Sequence, residues 1–372
     1  MSTADPVALV DLALRGHELD DALAALRRVM ERGWFVLGPE VRAFEEELAA
    51  ASGLRHAVGV ASGTDALILG LRALGIGAGD EVIVPQMTAF PTAAAVVEAG
   101  ATPVLVDIAP GRPHLDLSKT VAALTPRTRA VILVHLYGAC ADAVAFADAL
   151  RSRGVELIED CAQAQGALLP TGAPVGTVGR FAAFSFYPTK NLGALGDGGA
   201  FLTDDESLAE EVTAWRSHGE RAVRYRHELP ARNSRLDDLH AAVLRLRLTA
   251  LPDMIAARRA LSSAYHRRLG ASVSYVDHGP GGAPHLAVVT FEDRQSLADH
   301  LSANGIATGV HYPLALGDQP ALLHRAVQNG APVAREWAAR CLSLPLHLGM
   351  DESTVDRVAS VVLDTLDSAA SR

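Results

Sequence analysis

Lysine is nearly missing from this sequence. Of its 33 basic residues only Lys119 and Lys190 are lysines, and the rest are arginines, so any lysine chemistry has two candidates. Cysteine is scarce too. Cys140, Cys161 and Cys341 are odd in number and widely spaced, with no CxxC pair to build a disulfide framework or a metal site, and a reducing cytoplasm fits best. Positive charge is in deficit, 33 Lys plus Arg against 43 Asp plus Glu for a net charge of -10. That is a poor basis for neutralising nucleic-acid phosphates, and no DNA or RNA partner is expected. No apolar run approaches ~18 residues, and the opening MSTADPVALVDLALRGHELDD lacks a basic segment followed by an uninterrupted apolar stretch. Neither export nor a membrane partner is expected.

What is present is enough apolar side chain for a large core: 372 residues, 49% hydrophobic and 20% charged. At about 150 residues per domain this suggests roughly two domains. Leu19, Leu23, Leu26 and Met30 recur at helical spacing, as do Val41, Phe44 and Leu48 behind Pro39, so two amphipathic helices open the chain. Seven apolar runs then read as strands: HAVGVA (56–61), EVIVP (81–85), PVLVD (103–107), AVILVHL (130–136), VELIED (155–160), FAAFSF (181–186) and GAFLT (199–203). Helical stretches between most of the first five predict crossover connections and a mainly parallel α/β sheet. After about residue 237 comes a long helical run over 238 to 269. A Gly/Pro-rich stretch (279–285), a strand-like HLAVVTF and a final helix near 353 to 366 follow. The expected division is a large domain over 1–250 and a smaller C-terminal α/β domain over 251–372.

Lys190 lies in FSFYPTKNLGALGDGG, just beyond a strand, after Pro188 and before a cluster of glycines. Lysine shifts its pKa readily and forms imines, so this is a candidate Schiff-base nucleophile, with a solvated loop lysine as the alternative. Lys119, in DLSKTVAAL, reads as an exposed helix residue. Ser62, Gly63 and Thr64 stand where a short strand meets a helix. There, free N–H groups and the helix dipole suit a phosphate, though a plain N-cap would use the same residues. Asp160 ends VELIED at the carboxyl end of a parallel strand, where open α/β sheets bind ligands. It would pair with a protonated pyridine nitrogen or cap the following turn. Gln163 would donate to a ring oxygen or sit on the surface, and Ser185 offers a hydroxyl for phosphate or is an inert strand serine.

SGTDAL, GDEVIVP, VHLYGACAD, IEDCAQAQGA, FSFYPTKNLGALGDGGAFLTDDE, RSHGE and NSRLDDLHAAVLRLRL occur in an order and at spacings that resemble the DegT/DnrJ/EryC1/StrS sugar aminotransferases, over nearly the whole chain. The resemblance implies a pyridoxal-phosphate enzyme of fold type I. Its large domain would carry a mainly parallel seven-stranded sheet between helices, beside a smaller C-terminal α/β domain. It implies that Lys190 forms the internal aldimine, that Asp160 pairs with the pyridine nitrogen, and that Gln163 lies near the phenolic oxygen. Gly63, Thr64, Ser185 and, from a second subunit, Asn233 would hold the phosphate, so a homodimer with a shared site is implied. His135 is a candidate for a place beneath the cofactor, or a structural residue.

The implied reaction moves an amino group from L-glutamate or L-glutamine to a keto-sugar by a ping-pong mechanism, the acceptor being a nucleotide-linked keto-deoxysugar. The alternatives are a keto-cyclitol of the scyllo-inosose type and a non-catalytic regulatory homologue. Family members that act as sugar dehydratases carry His at the lysine position, so Lys190 points to transamination. Phe90, His311, Tyr312 and Arg221 are substrate-side candidates, with Arg224 beside Arg221. Three departures stand out. Thr88-Ala89-Phe90 replaces the usual Thr and ring-stacking aromatic, leaving Phe90 or Met87 to substitute. Ala231 stands where Gly is usual before Asn233, and His240 where Gln is usual.

Overall fold

The structure, a computed structural model, describes residues 5–370, with side chains through 366. The seven apolar runs form β1 (His56–Val60), β2 (Glu81–Pro85), β3 (Thr102–Val106), β4 (Thr128–Val134), β5 (Glu156–Asp160), β6 (Phe181–Ser185) and β7 (Gly199–Thr203). Four shorter strands follow, β8 (Ser274–Tyr275), β9 (Ala287–Thr290), β10 (Val327–Gln328) and β11 (Cys341–Leu344). The main sheet has the order β1-β7-β6-β5-β4-β2-β3-β10. Strand β7 is antiparallel to both neighbours, while the other pairings of this sheet are parallel, so β7 alone runs against the rest. Strands β2 and β7 are buried at every position. Apolar clusters cover both faces of the sheet, and a parallel sheet needs this because its crossover helices occupy both sides.

The eighth strand was not expected from the sequence. Its two residues come from the C-terminal part of the chain and extend the sheet beyond β3, and a dipeptide carries no periodicity to read. Strands β11, β9 and β8 make a separate antiparallel sheet, with its own core of Tyr265, Leu301, Leu342 and Val358. One helix, Asp238–Leu269, runs through Pro252 and across residue 250, carrying the chain from the large sheet to the small one.

The two N-terminal helices form at Gly16–Arg32 and Pro39–Ala51. In the second, Val41, Phe44 and Leu48 are buried as expected. The first turns its smaller residues inward: Ala22, Ala25 and Val29 are buried, the last two against Ala242, whereas Leu19, Leu23 and Met30 are exposed. The leucine stripe is therefore available to a neighbour outside the chain. Asp238 fastens the second helix by accepting hydrogen bonds from the N–H groups of Gly38 (2.7 Å) and Glu40 (3.0 Å). Asp238→Ala is expected to cost about 1–2 kcal/mol, the usual loss for a helix N-cap, read as an earlier midpoint in urea unfolding. An unchanged midpoint would show that the cap adds nothing.

Candidate active site

Parallel strands put their carboxyl ends at one edge of the sheet, and the register aligns Val134 with Asp160 and Asp160 with Ala183. The ends of β4, β5 and β6 thus bring His135, Asp160 and Ser185 to one side. Asp160 is buried there, and burial pushes its carboxyl up. The N–H of Ala162 (3.1 Å) and the hydroxyl of Thr92 (2.9 Å) donate to its two oxygens, and together with the charge of Lys190 they oppose that rise. Thr92 in turn shares a hydrogen bond of 3.1 Å with Thr88. Sequence reasoning missed this pair. The signal was the i, i+4 spacing of two threonines at the start of the helix Phe90–Ala99.

Lys190 sits in a loop that folds tightly on itself. Its N–H donates to Tyr187 O (2.8 Å), and Ala194 N–H donates to Phe186 O (2.7 Å). A Cβ at Gly193 would stand 2.5 Å from Pro188 O, so only glycine closes the turn. Burial lowers the Lys190 ammonium from 10.5 to about 8, with Asp160 opposing the shift. The neutral, nucleophilic amine is accordingly expected to emerge through about pH 8 instead of near 10.5. The test is the rate at which cofactor-free protein captures pyridoxal phosphate, trapped by borohydride and located by peptide mass. A plateau above about pH 9 is expected, and a rate still climbing at pH 10 would contradict the shift. The other lysine is settled: Lys119 Nζ lies 3.0 Å from the buried carboxylate of Asp107.

The candidate phosphate site, at the start of the helix Gly63–Ala73, lies beside β6. Ser62 caps the helix Gly63–Ala73 by accepting from Asp65 N–H (3.1 Å), so the N-cap reading holds for Ser62 itself. The N–H groups of Gly63 and Thr64 ahead of it make no hydrogen bond within the described residues. A Cβ at Gly63 would come 2.8 Å from that of Ser185, which places Ser185 against this helix start. Asn233 is exposed, and its backbone pairs with Ser217.

The C-terminal part of the chain closes over the site. Gln163 accepts from Tyr137 N–H (2.7 Å) and donates to the Tyr312 hydroxyl (3.0 Å), while His311 Nδ1 lies 2.8 Å from Ser343 Oγ. Burial and the Lys190 charge hold His311 below its ordinary pKa, and burial raises Tyr312 to about 12. Of the two stacking candidates, Met87 is fully buried in the core and Phe90 is exposed at the first turn of its helix. Arg221 is not gathered in: its guanidinium pairs with Glu211 and Glu228.

His135 is structural in its contacts. Its Nδ1 accepts from Ala141 N–H (3.1 Å), so Nε2 carries the hydrogen and donates to Glu159 (2.9 Å). Burial raises the Glu159 carboxyl, but His135 and the N–H groups of Gly179 and Gly176 outweigh it and hold the group ionised. Cys161 completes a cluster whose ligand atoms lie within 4.8 Å, yet the His and Glu atoms are already committed to protein partners.

With this geometry in view, the profile of the DegT/DnrJ/EryC1/StrS aminotransferase family matches residues 17–363. The chain belongs to that family. It is 40% identical over 98% of its length to the UDP-N-acetyl-3-dehydro-alpha-D-glucosamine 3-aminotransferase of Acidithiobacillus ferrooxidans, all of which is covered. It is 43% identical over 96% of its length to a dTDP-3-amino-3,4,6-trideoxy-alpha-D-glucose transaminase of Streptomyces venezuelae, of which 95% is covered. Among solved structures, DesV from S. venezuelae in complex with a ketimine intermediate superimposes with a TM-score of 0.92 at 42% identity, covering 97% of this chain and 98% of that one. The fold is thus that of the family's pyridoxal-phosphate-dependent aminotransferases, as the sequence motifs implied.

Proposed function

We propose that this chain moves an amino group from L-glutamate or L-glutamine to carbon 3 of a nucleotide-linked keto-sugar, with pyridoxal phosphate as cofactor. One observation carries the reading: a lysine with a lowered pKa, a buried carboxylate and a free helix N-terminus converge at one sheet edge. Two relatives of 40% and 43% identity, both named for 3-amino nucleotide sugars, support the carbon position. The residues fit the cofactor. Asp160 lacks an ion-pair partner fixed by direct contact and would meet a ring nitrogen, and Gly63, Thr64 and Ser185 form a cradle that a Cβ would fill.

When bound, pyridoxal phosphate supplies a carbonyl for amine capture and a ring that draws electrons from the substrate carbon. Lys190 would hold that carbonyl through its Nζ, and the free amine would take and return the proton at the donor's α-carbon. Asp160 would pair with the protonated ring nitrogen, and Gln163, braced by Tyr137 and Tyr312, would lie near the ring oxygen. The same lysine serves both halves in reverse order, so the keto acid leaves before the keto-sugar binds. Asn233 reaching into a second copy would complete the cradle, and the exposed Leu19, Leu23, Met30, Trp34 and Phe35 supply an apolar face for that copy. No helix among the described residues is long and apolar enough to cross a membrane, which together with three free cysteines supports a cytoplasmic site of action.

The test is the visible spectrum of the cofactor-loaded protein before and after each donor, followed by nucleotide-linked 3-keto and 4-keto sugars and scyllo-inosose. Bleaching by a donor and recovery with a 3-keto sugar is expected. Recovery only with scyllo-inosose would replace the acceptor by a cyclitol, and no bleaching by either donor would leave a binding role without turnover.

A further inference from the structure

We propose that Arg258 anchors the carboxylate of the amino donor, in the cavity beside Lys190; this rests on the aminotransfer reading above. The cavity, of about 250 Å³, is lined by Lys190, Arg258, Arg247, Arg15, Asp11 and Glu18 among others. Its two carboxylates are already taken, Asp11 by Arg15 (2.6 Å) and Glu18 by Arg247 (3.0 Å). Arg15 and Arg247 are thereby paired and Lys190 has the charge of Asp160 near it, which leaves Arg258 as the lining cation without a counter-ion.

Arg258 is 8% exposed, and no carboxylate among the described residues pairs with it. Its Nη1 makes only long contacts to the carbonyls of Leu346 (3.2 Å), Pro284 (3.4 Å) and His285 (3.5 Å). Its Nε is buried with no partner, and so is Nε of Arg247 on the same cavity. Burial lowers the guanidinium to about 10, which still leaves it charged at neutral pH. A buried cation without a counter-ion is costly, and an entering anion offsets that cost. The planar fork of arginine matches a carboxylate better than a point charge does. Covalent distance then selects the ligand. The donor's carboxylate is bonded to the very carbon whose proton Lys190 removes, whereas the diphosphate of a nucleotide sugar stands several bonds from carbon 3.

Glutarate has the donor's carboxylates and no amino group, so it reports binding without chemistry. In calorimetric titrations of the cofactor-loaded enzyme, Arg258→Gln is expected to weaken glutarate at least tenfold, with Arg258→Lys intermediate and thymidine diphosphate unaffected. Equal glutarate affinity in a folded Arg258→Gln protein overturns the proposal, as does a loss confined to thymidine diphosphate. Should Arg258→Gln not fold, the wild type decides through phenylglyoxal labelling mapped by mass. Glutarate must protect Arg258 and leave the exposed Arg268 labelled, and absence of protection overturns the anchor. The two readings fail separately. Donors that bleach wild type and Arg258→Gln with equal affinity remove only the anchor, while donors that bleach neither remove aminotransfer.

Discussion

Replacing Lys190 by alanine is expected to lower aminotransfer by about 10³-fold or more, while the protein stays folded. General acid–base catalysis alone is worth about 10²–10⁴, and in the proposed reaction the same amine would also hold the cofactor carbonyl ready for exchange. No other lysine can stand in, because the second one, Lys119, is bound to Asp107. Stability should not fall. Burial has already pulled the ammonium from 10.5 to about 8, which means that the fold holds the charged form at a cost, and alanine removes it. The measurements are turnover at saturating donor, thermal unfolding, and rescue by added ethylamine, which replaces the lost base and not the lost tether. Lys119→Ala serves as the control with unchanged turnover. A Lys190→Ala enzyme retaining a tenth of wild-type turnover would remove that lysine from the chemistry.

The large sheet was legible because its strands are short β-branched and apolar runs between turn residues, and that pattern needs no tertiary information. Lys190 was legible through composition, since a lysine kept where arginine has replaced nearly all others stands out. Other features depend on what the fold brings together. Thr92 is an ordinary helix threonine until β5 places Asp160 at 2.9 Å from its hydroxyl. Arg258 is one of several arginines on a long helix, and nothing local marks it as buried without an acid. The Gly/Pro stretch 279–285 carries no periodicity, yet Ala283 N–H donates to Gly138 O and Gly281 O accepts from Leu168 N–H. It is a packed seam between the two sheets. The leucine spacing of the first helix gave its extent correctly, but the buried face is the one carrying Ala22, Ala25 and Val29, whose small side chains give no strong periodic signal.

Asp160→Asn carries the second large effect, a fall in kcat of about 10²–10⁴ with a small change in donor KM. The amide keeps the shape and a hydrogen bond, but it could not balance a positive charge on the ring nitrogen that the proposed function pairs with Asp160. The buried site would then favour a neutral nitrogen and a weaker electron sink. Thr92→Val tests the same logic more gently. It removes the hydroxyl that donates to Asp160, one of the bonds favouring the ionised carboxylate against burial, so the carboxyl pKa rises further. One hydrogen bond of about 1.4 kcal/mol to a charged acceptor corresponds to about tenfold in rate. The acid limb of kcat/KM should shift to higher pH in Thr92→Val, because more alkaline solution is needed to ionise Asp160. A structural role for Thr92 alone would lower the melting temperature and leave that limb in place. An Asp160→Asn enzyme within tenfold of wild type would mean that another group holds the ring proton. The described residues place no other carboxylate that could: the neighbouring Glu159 is turned to His135 and to the N–H groups of Gly176, Val178 and Gly179.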